Sequence, residues 1–526
     1  MAEAPGCGRS SCVARYATPL CAAYKRIALI SAPRWRPVQF PSSFETTRGR
    51  IIAVALVLLL LVSGAAAWVW WPFGEPEVEF IAFDYQRAYE DIEALTANGP
   101  RFAGGEAELL GAEYVASQFT EAGLARVTVH PVPWTLYEPV GTQELTIARE
   151  ERDPVLGATI DRDEQQLSHL EDFTVLAFSG SLDDSDIEAI FVGNGDDANY
   201  SAAGPVSGRA VLVANDGALS YSALYLQALD NGAAVSLIYD AGRDWPIGKA
   251  SYGADARGHM IPFPEAYPEY ADQLIPHLML SQTAGQQLQD WIDAAEEDDD
   301  VSALVDLDIN VVIELRETRV VTGDIVGKSS QIVMLGAHMD THYVGDGAVD
   351  NTVGTAEIIE MARQFVQAGE LEYTVRFATW GAEELGLLGS YGYFLQNEAA
   401  LQSDLRLYLN FDMTHADLGE SGDSIPFEVN NPDLKAEIEK VMELWREWFP
   451  ALAADYQTPV SYAAVAGPSD HRTFAMEGFT TATGYGSGSA EYHTQYDTIE
   501  QINVESLQIA PQILGSYGLH VARHGL

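Results

Sequence analysis

The chain has 526 residues, of which 47% are hydrophobic, and it carries a formal net charge of −48 at pH 7. This length and apolar content are sufficient for at least one large core and favour two domains, whereas the excess of Asp and Glu argues against nucleic acid as a partner. The three cysteines, Cys7, Cys12 and Cys21, all precede residue 50, which excludes disulfides and cysteine metal sites from the rest of the chain.

An uncharged apolar segment, IIAVALVLLLLVSGAAAWVWW, occupies residues 51–71 and is long enough to cross a bilayer as a helix. Arg and Lys are concentrated before it and Glu follows it, so the positive-inside rule predicts a basic cytoplasmic tail at 1–50 and a signal-anchor at 51–71. The remainder would then lie on the extracytoplasmic side, in the periplasm or outside the cell. The alternative is secretion after signal cleavage, because SGAAA at 63–67 resembles a cleavage site.

Two helices and a strand are predicted at the start of the exported part, between residues 84 and 134. The second helix has apolar residues at spacings of three and four and ends at Gly123. ARVTVHPVPW (125–134) is typical of a strand. We assign residues 78–153 to the first part of the main domain.

The pattern of predicted secondary structure changes between residues 154 and 299. Short β runs alternate there with Gly, Asp and Asn turns, as in RAVLVAND (209–216) and AAVSLIYDAG (233–242), and a helix is predicted over 221–232. No catalytic constellation is evident in this block. It is therefore interpreted as a compact inserted domain.

Strands and helices alternate after residue 300, where the second part of the main domain (300–526) begins. Strands are predicted at 331–338, 373–380, 406–411 and 479–483, and a helix at 354–369. Such alternation predicts an α/β fold with a mostly parallel sheet and helices on both faces. Ligands in such sheets bind beyond the carboxyl ends of the strands.

Polar residues interrupt the apolar runs at those strand ends and in the loops that follow them. They are His338, Asp340, Asp350, Glu383, Glu384, Asp412 and His493. A single His or Asp at such a position is ordinary turn chemistry, so the joint pattern carries the prediction. Burying several carboxylates together is costly unless cations compensate, and a shell of nitrogen and oxygen ligands suits zinc, or manganese or cobalt.

The same residues carry a resemblance to a known family. The motifs GAHMDT, GAVDNTVGTA, WGAEELGLLGS, NFDM, SDHRTF and YHTQYDT occur in the order typical of M28 zinc metallopeptidases, which include bacterial aminopeptidases and the plasma glutamate carboxypeptidase type. The resemblance covers residues 84–153 and 300–526. It implies the phosphorylase/hydrolase-like zinc exopeptidase fold, a mostly parallel mixed sheet sandwiched by helices, and the inserted block resembles a protease-associated (PA) domain.

This resemblance implies two co-catalytic Zn²⁺ ions, with Mn²⁺ or Co²⁺ as substitutes. His338 and Asp412 would hold one zinc, Glu384 and His493 the other, and Asp350 would bridge them.

Three further residues receive catalytic roles by the same resemblance. Asp340 would orient His338, Glu383 would be the general base that activates a metal-bridging water, and Tyr492 would donate to the developing oxyanion. His342 and His471 receive no ligand role. For Asp470 two roles stay open: shaping the loop near the site, or a purely structural role.

The resemblance implies an exopeptidase with peptide substrates, and an aminopeptidase releasing N-terminal residues is the main hypothesis. The alternatives are a carboxypeptidase or dipeptidase of the glutamate-carboxypeptidase type and, ranked lower, a glutaminyl-cyclase-like transferase or a receptor-like scaffold without catalysis. The inserted domain would either cover the cleft or mediate a homodimer, and the sequence does not choose between them.

Overall fold

The computed structural model of the protein describes residues 78–416, 423–486 and 491–525, which belong to one compact unit. The predicted cytoplasmic tail (1–50) and signal-anchor (51–71) lie outside the described residues. Within the described ranges, the helices are too short or too polar to span a bilayer.

The strands are β1 (Ala125–Pro139), β2 (Glu144–Arg152), β3 (Thr159–Leu167), β4 (Phe173–Val175), β5 (Leu182–Phe191), β6 (Ala210–Asn215), β7 (Val235–Asp240), β8 (Tyr252–Ala254), β9 (Met260–Pro262), β10 (His277–Leu280), β11 (Val301–Ile309), β12 (Val311–Ile325), β13 (Ile332–His338), β14 (Thr374–Trp380), β15 (Leu405–Asp412), β16 (Phe427–Val429), β17 (Val460–Tyr462) and β18 (Thr481–Tyr485). The α-helices are α1 (Tyr85–Thr96), α2 (Glu106–Ala122), α3 (Asp197–Ala203), α4 (Tyr221–Asp230), α5 (Phe263–Ala266), α6 (Gln282–Glu297), α7 (Val353–Phe365), α8 (Leu388–Asp404), α9 (Pro432–Trp448), α10 (Leu452–Asp455), α11 (His471–Met476) and α12 (Ser516–His524).

The first sheet has the strand order β1-β12-β14-β13-β15-β18-β16-β17. Strands β14, β13, β15 and β18 pair in parallel at its centre, whereas β1, β12 and β16 pair antiparallel with their neighbours on the central side. The predicted mixed sheet is therefore confirmed, with parallel pairing concentrated where the strands alternate with helices in sequence.

Helices cover both faces of this sheet, as predicted. Along β13, Val333, Leu335 and Ala337 point to the face packed by α1, α2, α7, α9 and α12, and Ile332 and Met334 point to the face packed by α8 and α11. This alternation follows from the two-residue period of a strand. Because both faces are covered, polar groups of the central strands reach solvent at the strand ends.

The predicted helix boundaries follow from their caps. The side chain of Asp84 accepts a hydrogen bond from Arg87 N–H at the start of α1. Gly123 ends α2 in the left-handed region at φ 95°, where its N–H donates to the carbonyls of Phe119 and Thr120.

A second sheet, of strand order β3-β2-β11-β5-β6-β7-β10-β4, contains the inserted block. It runs from Glu144 to Ile309 and so extends beyond the predicted limits of 154 and 299, because β2 and β11 pair with each other. Two consecutive strand pairs, β1 with β12 and β2 with β11, continue from one sheet into the other. Gln143 stabilises the point where these strands pass from one sheet to the other, because its side-chain amide donates to the carbonyls of Val140 and Asn310 and accepts from Asn310 N–H.

Candidate metal centre

The carboxyl ends of neighbouring strands bring the predicted site residues to one edge of the first sheet. His338 ends β13, Asp412 ends β15, and Glu383 and Glu384 lie in the turn after β14. Asp350 comes from the irregular turn Ala348–Thr352 before α7. His493 lies in the loop after β18, and all of these side chains are buried or nearly so.

The ligand atoms form two groups that share Asp350. Its Oδ1 lies 3.1 Å from His338 Nε2, which is also 3.4 Å from Asp412 Oδ1. Its Oδ2 lies 2.9 Å from His493 Nε2, which is also 3.0 Å from Glu384 Oε2. In each group the imidazole Nε2 lies within 3.4 Å of both carboxylate oxygens, a spacing suited to one divalent ion.

The hydrogen bonding of these residues fits metal binding. Among the described residues, His338 Nε2, His493 Nε2, Glu384 Oε1 and Asp412 Oδ1 are buried without a hydrogen-bond partner. The opposite ring nitrogens are satisfied, because His338 Nδ1 contacts the carbonyl of Asp340 at 3.1 Å and His493 Nδ1 contacts that of Gly248 at 2.9 Å. Because a carbonyl oxygen can only accept, both imidazoles hold a proton on Nδ1, and Nε2 of each faces the other ligand atoms.

Asp340 acts on the glutamate turn more closely than on His338. Its Oδ1 accepts from the backbone N–H of Glu383 at 3.0 Å, and its Oδ2 accepts from that of Glu384 at 3.2 Å. The distance from Asp340 Oδ1 to His338 Nδ1 is longer, 3.6 Å. The carboxylate thus fixes the backbone from which both glutamate side chains project, and its backbone carbonyl orients His338.

Two residues to which the sequence analysis gave no role fix the turn that carries Asp350. Asp497 accepts from the backbone N–H of Val349 at 2.7 Å and from that of Asp350 at 3.0 Å. Asn351 donates to the carbonyl of Phe411 at 2.9 Å and accepts from Met413 N–H at 3.0 Å. Both residues lie inside the motifs quoted above, but a motif does not reveal which backbone groups a side chain will meet.

Burial and charge shape the acid–base properties of the centre. Burial is the main reason that the pKa of Glu383 is raised well above its ordinary value and that of Glu384 to about 7. Burial also lowers the pKa of His493 to about 4, so its imidazole is neutral at pH 7. Burial opposes ionisation of Asp350, but contacts with His338 and His493 hold its pKa below its ordinary value.

The inserted block closes over the centre. Gly248 N–H donates to the carbonyl of His493 at 2.9 Å, and Lys249 Nζ lies 3.2 Å from the hydroxyl of Tyr492. The Tyr492 ring stacks on that of His493 with 3.6 Å between centroids. A cleft of about 820 Å³ lies between the loops of the second sheet and the metal-site edge, and a smaller pocket of about 320 Å³ adjoins Asp350 and Asp412.

The remaining residues considered from the sequence lie at the margin of the centre. Asp470 is buried, and burial raises its pKa to about 8. His471 Nε2 lies 3.5 Å from Glu428 Oε1, away from the two ligand groups. Arg243, which sequence reasoning missed, lines both the cleft and the smaller pocket.

Comparison with known proteins agrees with this geometry. A model of Peptidase family M28 matches residues 320–517, the part of the chain that contains all the motifs quoted above. An aminopeptidase of Pseudomonas aeruginosa is 30% identical over 226 residues, covering 39% of this chain and 42% of that protein. Leucine aminopeptidase 2 of Trichophyton equinum is 33% identical over 207 residues, covering 38% and 39%. The chain thus spans about two fifths of the length of these relatives.

Solved structures share the fold at low identity. A zinc aminopeptidase from Bacillus subtilis is 21% identical with a TM-score of 0.62, covering 86% of this chain and 98% of that one. A peptidase M28 precursor from Shewanella amazonensis is 20% identical with a TM-score of 0.63, covering 84% and 94%. Because the likeness extends over most of both chains, the described part of this protein has the fold of those two structures.

Proposed function

We propose that the protein is a metalloaminopeptidase that removes N-terminal residues from peptides with the help of two zinc ions. One observation carries this proposal: buried His and carboxylate atoms without hydrogen-bond partners form two adjoining groups at the mouth of a cleft. Such atoms would destabilise the fold unless cations satisfied them. The aminopeptidase names of the relatives, and the description of one structural neighbour as a zinc aminopeptidase, support the choice of reaction and metal.

The site residues would have distinct roles in peptide hydrolysis. Two divalent ions held by the two groups would supply Lewis acidity, polarising the scissile carbonyl and lowering the pKa of water. The Glu383 side chain is 11% exposed and that of Glu384 3%, so Glu383 is the better placed to accept a proton from the attacking water. Its raised pKa brings it closer to the value suited to returning that proton to the leaving amine.

Tyr492 would stabilise the oxyanion. Burial raises the pKa of its phenol well above the ordinary value, which keeps the hydroxyl protonated. The ammonium group of Lys249 donates to the hydroxyl oxygen, leaving the hydroxyl hydrogen free to point at the substrate.

A second candidate is an exopeptidase or dipeptidase that recognises a substrate carboxylate, and the cations of the cleft favour it. Two arginines that could have served such a substrate are engaged elsewhere, Arg257 with Glu398 and Arg316 with Glu138. Arg243 and Lys249 line the cleft instead, and among the described residues neither forms an ion pair. A receptor-like scaffold is disfavoured, because the orphaned ligand atoms would serve no purpose in it.

We further propose the organisation expected from the sequence around this centre. Residues 154–299 would form a PA-like domain that covers the cleft, which the contacts of Gly248 and Lys249 with the His493 loop support. The alternative role of this domain is to mediate a homodimer. Residues 51–71 would anchor the chain with the peptidase on the extracytoplasmic side, and secretion after signal cleavage is the alternative.

The decisive experiment compares substrates and variants. Aminoacyl-nitroanilides, N-terminally blocked peptides and dipeptides with free or amidated C-termini are assayed with and without a chelator. Aminopeptidase activity predicts cleavage of unblocked substrates that is lost on chelation, and a strong requirement for a free C-terminus would favour the second candidate. Cleavage that survives complete removal of metal would overturn both.

The role of Glu383 is tested by Glu383→Gln, with Glu113→Gln, at an exposed position on α2, as the matched control. We expect Glu383→Gln to lose at least about 100-fold in kcat while keeping its metal, because base catalysis contributes about that much. Glu384→Gln should instead lose metal. Full activity of Glu383→Gln would show that another group is the base.

A further inference from the structure

A third imidazole lies at the centre, where the sequence assigned it no ligand role. His342 follows Asp340 by two residues, and its side chain is 3% exposed. Its Nε2 lies 3.1 Å from Glu384 Oε2, and its ring meets the ring of His493 edge-on with 4.2 Å between centroids. It therefore sits on the Glu384 side of the centre.

Both ring nitrogens of His342 lack a hydrogen-bond partner among the described residues. The contact between His342 Nε2 and Glu384 Oε2 has the length of a hydrogen bond, yet Nε2 is left without a hydrogen-bond partner there. Buried polar atoms of folded proteins are nearly always satisfied. The neighbouring His493 Nε2 is orphaned in the same way, and it already faces a ligand group.

The spacing of these atoms is that of ligands around one ion. His493 Nε2 and His342 Nε2 lie 3.0 and 3.1 Å from the same oxygen, Glu384 Oε2. Ligand atoms about 2.0 Å from a tetrahedral zinc lie about 3.3 Å from one another. The three atoms lie within 4.8 Å of one another, so a single ion can contact all of them.

The inserted block leaves room for this imidazole. A β-carbon on Gly248 would lie 2.9 Å from Cγ and Nδ1 of His342, too close for any residue other than glycine. The same Gly248 fixes His493 through its carbonyl and its N–H. Its backbone therefore packs against one imidazole and holds the other.

We infer that His342 is an additional ligand of the ion held by His493, Glu384 and the bridging Asp350, and this inference rests on the proposed two-metal function. That ion would have four protein ligands, whereas the ion at His338 and Asp412 would have three, counting Asp350 for both. Imidazole is a strong ligand for zinc, cobalt and nickel. The two ions are therefore unequal, and the one that His342 completes is held more tightly.

The test is metal affinity rather than turnover. Zinc is withdrawn stepwise from the full-length protein with chelators of graded affinity, the bound metal is counted by mass spectrometry, and the cobalt-substituted protein is followed by visible absorption. We expect His342→Ala to weaken the tighter ion at least tenfold and to change its cobalt spectrum, with less than a threefold effect on the other ion. His342→Cys, which restores a ligand atom, should recover most of the affinity.

His471→Ala removes another buried imidazole near the centre and controls for loss of packing, with thermal unfolding measured for each variant. Wild-type affinity for both ions in His342→Ala, or an equal loss in His471→Ala, would overturn the assignment. A wild-type protein that binds no zinc, cobalt or manganese would instead overturn the proposed function itself.

Discussion

Asp340→Asn tests how the adjacent glutamates are held. In the wild type, one carboxylate oxygen of Asp340 accepts from Glu383 N–H and the other from Glu384 N–H, at 3.0 and 3.2 Å. In the variant an amide NH₂ replaces one oxygen and faces a backbone donor, so one hydrogen bond is lost and the other no longer involves a charge.

The magnitude follows from the energetics of buried hydrogen bonds. A hydrogen bond to a charged group contributes about 1.5–3 kcal/mol, and the weakening of the second bond adds about 1 kcal/mol. We therefore expect the turn to lose about 3 kcal/mol of stabilisation. If half to two thirds of this loss is felt where Glu383 meets the reacting water, kcat falls about 10- to 30-fold.

The assay is kcat at saturating zinc, together with zinc affinity and urea unfolding. Asp172→Asn is the matched control, because the Asp172 side chain also accepts a hydrogen bond from a backbone N–H, that of Ser168 at 2.8 Å. Asp172 lies between β3 and β4 of the second sheet, outside the candidate metal centre. The control should change stability without changing kcat. A kcat of Asp340→Asn within twofold of the wild type would refute the claim that this carboxylate positions the glutamates.

Three further outcomes are expected. Tyr492→Phe keeps the ring stacked on His493 but removes the hydroxyl, so steady-state kinetics should show kcat lowered at least about tenfold with KM within twofold, and an unchanged kcat would exclude oxyanion stabilisation by Tyr492. Removal of metal should lower the melting temperature and zinc should restore it, because zinc at 100 times its Kd adds about 3 kcal/mol of stability; identical melting curves would contradict a metal-filled centre. Burial lowers the pKa of His277 to about 3. As pH falls below about 6.5, the unfolded chain therefore binds a proton that the folded chain does not. Denaturation should show that this residue makes the protein about 2 kcal/mol less stable at pH 5 than at pH 7. His277→Gln should remove that loss, the exposed His524→Gln should not, and equal pH dependence in all three proteins would count against the burial argument.

The sequence was sufficient to predict which edge of the first sheet carries the candidate metal ligands. The apolar runs of β13, β14 and β15 are interrupted at their carboxyl ends by His338, Glu383, Glu384 and Asp412, and parallel strands bring such ends together. These features are local, so they survive in the pattern of residues. The structure accordingly gathers every residue that the sequence proposed as a metal ligand.

The contribution of the second sheet was not predictable. Arg243 and Lys249 belong to the loop between β7 and β8, more than 130 residues before the strand end next to Glu383, and that loop has no motif. Similarly, whether β2 and β11 belong to the first or the second sheet depends on which strands they pair with, which periodicity does not encode. His342 was passed over for the same reason, because its ligand environment comes from Glu384, His493 and Gly248 rather than from its own motif.

The hydrogen bonds between Gly248 and His493 limit how this protein could be divided into separate parts. A covering domain attached by a plain hinge could be deleted or exchanged for another, leaving a working core behind. Here the covering block holds Nδ1 of one imidazole and packs against another, and it is joined to the core by two paired strands rather than by a linker. Deletion of residues 144–309 would therefore remove contacts that hold the two imidazoles of the candidate metal centre. The second sheet and the first sheet can be transferred to another protein only together.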